Sequence, residues 1–156
     1  MGNGHPVGGV VAASETLNAF RKAFRYFNTF GGNPVSCAAA MAVLDVLEEE
    51  KLQENALHVG AYACAGLQKL ADKHPLIGNV RGSGLFFGAE LVLDRQEKTP
   101  ASDIATRVVN GMRERGVLMG KLGIHQNATK IRPPMPFSRE NADLMLAALD
   151  DVLGGL

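Results

Sequence analysis

The sequence has no excess charge of either sign: sixteen Lys and Arg stand against sixteen Asp and Glu. A nucleic-acid binder shows a basic surplus, so no nucleic-acid partner is expected. No apolar run approaches the roughly 20 residues that cross a bilayer, and no membrane partner is expected either. The opening residues lack the basic, apolar, small-residue order of a secretory leader, which predicts a cytoplasmic location. Cysteine is scarce, and Cys37 and Cys64 sit in helical-looking stretches without metal-ligand spacing. Reduced, buried thiols are expected. His5, His58, His74 and His125 include no i, i+4 pair and no H-E-x-x-H, so no metal site is expected. There is no P-loop Lys-Ser/Thr, no internal repeat and no low-complexity stretch.

What is present is the composition of a globular domain: 156 residues, 46% hydrophobic and 21% charged. Eighteen glycines cluster in short loops. Val10 to Ala13 reads as a buried strand entered from a glycine loop, and Ser14 as the N-cap of a short amphipathic helix carrying Leu17, Phe20 and Phe24. Asn33-Pro34 starts the next helix in the manner of N-cap and N1. That helix, to Glu50, is so uniformly apolar that it should be buried, by a partner subunit or another domain if not by this chain. A further helix from Leu52 to Lys73, continuous with it or kinked, stops at His74-Pro75. Ile77 to Leu93 reads as strands joined by tight turns, Ser102 to Glu114 as a helix closed by Gly116, and Val117 to Met119 and Thr129 to Arg132 as short strands. Ser138 starts the last helix. The order predicts a small α+β domain with an antiparallel sheet covered on one face.

Two glycine loops, GNGHPVGG and Arg81 to Gly88, invite a dinucleotide reading. Both run G-x-G-x-x-x-G into strands, which is not the fingerprint. Residues 28 to 33, Asn-Thr-Phe-Gly-Gly-Asn, gather a hydroxyl, backbone N–H groups and a helix start, which suits a phosphate. The same residues also suit an ordinary capped helix after an irregular loop. Lys130 and Arg132 project from one face of a strand, to hold an anionic substrate or to pair with Glu on a neighbouring helix.

GNGHPVGGVV, FNTFGGNPVSCAAAMAVLDVLEEEKLQEN, VRGSGLFFGAELV and KIRPPMPFSRENAD, in this order and spacing, resemble the C-terminal part of class III pyridoxal-phosphate aminotransferases. The wording FNTFGG and KIRPPM is most similar to the branch holding alanine-glyoxylate transaminases and the phospho-lyases of amino-alcohol phosphates. The resemblance implies a portion of an α/β fold-type I transferase. Residues 1–33 would close the large cofactor domain, 34–74 form the interdomain helices, and 75–156 form the small α+β domain with its antiparallel sheet. It implies pyridoxal 5'-phosphate as cofactor, a homodimer, and amino transfer from an amino donor to a 2-oxo acid.

The resemblance also assigns residues. Thr29, with Asn28 beside it, would bind the phosphate of the cofactor held by the other subunit. Lys130, where the family commonly has Arg, and Arg132 would receive the substrate anion. Lysine is a weaker fork for a carboxylate, which keeps elimination of phosphate from an amino-alcohol phosphate as an alternative. Arg81 reads as structural. The family's Schiff-base lysine precedes the G-N-G motif, so no catalytic residue is expected in this chain. Met1 then reads as an internal methionine or the edge of a truncated reading frame. The isolated chain would be inactive, leaving a noncatalytic dimerisation module as a third reading.

Overall fold

A computed structural model describes residues 1–156, which divide by contacts into two units, Met1–Lys51 and Leu52–Leu156. In the first, helix α1 (Ser14–Ala23) is followed by a loop and helix α2 (Pro34–Glu49). Asn33 caps α2, its side-chain oxygen accepting from Ser36 N–H at 2.9 Å while Pro34 takes the position where no N–H is needed. Phe20 stacks against Phe24 and Tyr26, with ring centroids 5.4 and 5.7 Å away.

Several expectations fail in this unit, and those about burial fail for one reason. Val10 to Ala13 forms no strand, and Val10 and Val11 are exposed. A strand needs a ladder partner, and this stretch has none in the chain. Ser14 lies inside the first turn of α1, and Ala13 holds the N-cap position without a side-chain bond. No residue of α2 is buried, and Cys37 is exposed rather than covered; Cys64 is half-buried. Apolar sequence states a need for cover, and these residues do not supply it to one another.

The second unit has a complete core. Helix α3 (Leu52–Lys73) starts anew after Lys51, whose φ of 52° breaks the path from α2. Val59, Ala63, Leu67 and Ala71 form its buried stripe at four-residue spacing. It ends as expected before Pro75, and Arg95 caps it by donating to the carbonyls of Ala71, His74 and Pro75. Strands β1 (Ile77–Ser83) and β2 (Phe86–Asp94) form an antiparallel pair, with short β3 (Thr99–Pro100) beside β2.

Helix α4 (Ser102–Glu114) buries Ala105, Val108 and Met112. It closes with Gly116 at φ 78° as Val117 N–H reaches the Met112 carbonyl, a Schellman ending. Val117 to Met119 is not a strand; the pairing segment is β4 (Gly120–Leu122), because Gly120 to Leu122 is what lies opposite β5 (Ala128–Lys130). Helix α5 (Arg139–Gly154), capped by Ser138, turns Ala142, Met145, Leu149 and Val152 inward. The sheet runs β1-β2-β5-β4, all antiparallel; α3 and α4 pack against it, and α5 packs on α3 and α4. This is the helix-covered antiparallel sheet expected. By contacts α3 goes with it, so the division falls inside the 34–74 stretch that sequence grouped as linking helices.

Candidate functional site

The loop before α2 is shaped by its own asparagines. Asn28 Oδ1 accepts from Phe30 N–H at 3.2 Å and Gly31 N–H at 3.0 Å, closing a tight turn in which a Cβ on Gly31 would lie 3.0 Å from the Asn28 carboxamide. Gly32 then takes φ 73°, a backbone state glycine adopts without strain. Asn33 Nδ2 donates to the Phe30 carbonyl at 3.0 Å and to Ser36 Oγ at 3.1 Å. Asn28 therefore spends its oxygen on the loop. What the loop leaves free is the exposed Thr29 hydroxyl with the N–H groups of Thr29, Gly32 and Val35, which make no hydrogen bond within the chain. Four donors without an internal acceptor, at the positive end of a 16-residue helix, fit a dianionic phosphate.

The second candidate lies in the C-terminal unit, on the sheet face away from α3 and α4. Lys130 and Arg132 alternate with buried Thr129 and Ile131, so both leave the core side of the strand. Lys130 is half-buried, Arg132 is exposed, and neither makes an ion pair. Arg132 lies over the Phe86 ring at 5.5 Å. The pairing of these cations with a helix Glu, weighed from sequence, does not occur. Arg81, across β1 from Gly88, instead pairs with Glu90 at 2.8 Å, and this hydrogen bond holds the Glu90 carboxyl below its usual range. A cavity of about 280 Å³ lies here, lined by Arg81, Phe86, Gly88, Glu90, Leu122 and Ala128 among others.

Three residues that position this face escaped sequence reasoning. Buried Thr129 accepts from Ala89 N–H at 2.8 Å and donates to the Ala89 carbonyl at 3.2 Å. Buried Asn127 donates from Nδ2 to the Leu91 carbonyl at 2.8 Å while its own carbonyl accepts Leu91 N–H. Side chains thus take the places of ladder bonds between β2 and β5. Asn55 on α3 donates to the carbonyls of Met135 and Phe137 at 2.8 and 3.0 Å, fixing the chain after Arg132. No sequence pattern marks any of the three.

Comparison with known proteins identifies the family. The family model described as Aminotransferase class-III matches residues 1–153. The chain is 48% identical over 150 residues to alanine–glyoxylate aminotransferase 2 homolog 2, mitochondrial, of Arabidopsis thaliana, covering 96% of this chain and 31% of that protein. Among solved structures it is similar to a phospholyase from Arthrobacter in complex with phosphoethanolamine, at 43% identity and TM-score 0.93, over all of this chain and 37% of that one. An amine transaminase from an uncultivated Pseudomonas species in its PLP-bound form matches 87% of this chain and 31% of its own, at 35% identity and TM-score 0.76. The chain spans about a third of the length of such relatives.

The Arabidopsis relative is named mitochondrial, as are two others, which overturns the expected cytoplasmic location. That expectation rested on the composition of the opening residues alone. No helix is long and apolar enough to cross a membrane. Matched along nearly its whole length, the chain belongs to the class III aminotransferase family, whose fold is the PLP-transaminase fold and whose cofactor is pyridoxal phosphate.

Proposed function

We propose that this chain is the C-terminal third of an enzyme that moves an amino group from an amino donor to a 2-oxo acid, and that its share of the work is to bind anions at two places. The observation that carries the reading is the set of unpartnered donors around Thr29. Thr29 Oγ–H and the N–H groups of Thr29, Gly32 and Val35 hold the cofactor phosphate, with Asn28 shaping the turn that presents them. When bound, the cofactor supplies an aldehyde for the amino group and a ring that draws electrons from the neighbouring carbon. Lys130 and Arg132 orient the substrate anion, and the Phe86 ring keeps the Arg132 side chain extended over the sheet. The loop serves the cofactor of a second subunit in a homodimer. Exposed Val35, Met41, Leu44 and Val46 on α2 support this reading, since that much apolar surface on one helix needs cover. No lysine of this chain stands at the family's Schiff-base position, so the chain by itself is catalytically silent.

A second reading is favoured by one feature of the same face. Two cations without acidic partners, one of them lysine where a carboxylate fork commonly stands, suit a phosphate ester as well as a carboxylate. The phospholyase with phosphoethanolamine supports it. The complete enzyme, loaded with cofactor, is given alanine with glyoxylate and, separately, phosphoethanolamine alone. Pyruvate formed without phosphate release supports amino transfer, and phosphate released without an amino acceptor supports the lyase. Neither product overturns both readings.

A further inference from the structure

The glycine-rich opening motif fits no nucleotide fingerprint, yet it is tightly built. His5 N–H donates to the Gly2 carbonyl at 3.0 Å, Asn3 and Gly4 take φ of 45° and 105°, and a Cβ on Gly2 would lie 2.3 Å from the His5 carbonyl oxygen. This turn directs the half-buried imidazole of His5 onto the first turn of α2, where Nε2 lies 2.9 Å from Ser36 Oγ. Ser36 Oγ already accepts from Asn33 Nδ2 at 3.1 Å, and the other Nδ2 hydrogen goes to the Phe30 carbonyl at 3.0 Å. A hydroxyl oxygen has two acceptor sites and one proton, so Ser36 holds Asn33 Nδ2 and His5 Nε2 at the same time. A single chain of hydrogen bonds runs from the Phe30 carbonyl through Asn33 and Ser36 to His5, which lies 31 residues before Ser36 in sequence.

We infer that His5 is a positioning residue for the cofactor phosphate. It fixes Ser36, Ser36 fixes the Asn33 carboxamide, and Asn33 holds the Phe30–Gly32 backbone so that the free donors around Thr29 converge. The inference rests on the reading of the loop as the phosphate site. It predicts an effect at the phosphate end of the ligand, because the hydrogen bonds lead from His5 to the loop around Thr29.

The test uses the complete enzyme and two probes, pyridoxal phosphate and pyridoxal, with dissociation constants read from cofactor absorbance. His5→Ala and Ser36→Ala each should weaken pyridoxal phosphate about threefold to tenfold, the range for one net hydrogen bond, and leave pyridoxal within twofold. His5→Gln, whose terminal amide can donate to or accept from Ser36 Oγ, should restore most of the loss, and the double variant should be no worse than either single one. Unchanged pyridoxal-phosphate affinity in His5→Ala, or equal weakening of both probes, overturns the inference. Thr29→Val measured alongside separates the two failures. If it weakens binding while His5→Ala does not, only the positioning role falls; if neither does, the loop is not the phosphate site. Should His5→Ala fail to fold, Ser36→Ala and His5→Gln carry the same comparison.

Discussion

Thr129→Val removes one buried hydroxyl from between β2 and β5 while nearly keeping the side chain's shape. The hydroxyl accepts from Ala89 N–H at 2.8 Å, and Thr129 and Ala89 are 2% and 1% exposed, so water has no access to replace it. The longer bond to the Ala89 carbonyl, 3.2 Å, matters less. A buried donor left without an acceptor costs about 1–3 kcal/mol. The added methyl returns less than about 1 kcal/mol of transfer free energy, leaving a net loss of about 1–2 kcal/mol. Urea denaturation gives the total, and amide exchange locates it: Ala89 should lose protection while Phe87, bonded to the Ile131 carbonyl at 3.1 Å, keeps it. The neighbourhood has little room to relax, since a Cβ on Gly88 would already lie 2.0 Å from the Thr129 carbonyl oxygen. Stability within about 0.5 kcal/mol of wild type, with Ala89 still protected, would refute the idea that this hydroxyl replaces a ladder bond.

Other substitutions probe the remaining links. Leu67→Ala empties the centre of the core, where Leu67 is fully buried, and should cost about 2–5 kcal/mol by urea midpoint; a loss below about 1 kcal/mol would mean the core collapses around it. Gly60→Ala sets a Cβ 2.1 Å from the Gly84 carbonyl oxygen, and the forced separation of α3 from the β1–β2 turn should cost about 1–3 kcal/mol in the same assay. Hydrogen bonds from Lys73 at 2.7 Å and His74 at 2.5 Å hold the Asp150 carboxyl below its usual range. Its stabilising contribution is therefore full above the unfolded value of about 4 and lost as pH falls through the lower folded value. The stability gap between wild type and Asp150→Asn should shrink in acid below that point, and a gap that widens would contradict the assignment.

Elements ended by local chemistry were legible in sequence. Asn33-Pro34, His74-Pro75, Gly116 and Ser138 stop or start helices through their own dihedrals and side-chain bonds, and the structure places the boundaries there. Elements that depend on a distant partner were not. Val10 to Ala13 and α2 are apolar enough to be covered, but composition does not name the cover, and in this chain they lie open. Thr129 is legible only as the start of a short strand, and Asn127 carries no signal, because nothing local reveals that their side chains bond the backbone of β2. The loop at residues 28–33 was undecidable from pattern, since a phosphate nest and a capped helix use the same residues. The resemblance to the family favours the phosphate, and the structure adds that Asn28 and Asn33 shape the turn while Thr29 stays free.

The most direct test of the phosphate-loop assignment is the pyridoxal-phosphate dissociation constant of the complete enzyme with Thr29 and with Thr29→Val. Valine keeps the volume and removes one donor to a charged acceptor, worth about 1.5–3 kcal/mol, so affinity should fall more than tenfold. Unchanged affinity would show that residues 28–33 only cap α2 and that the cofactor phosphate is held elsewhere.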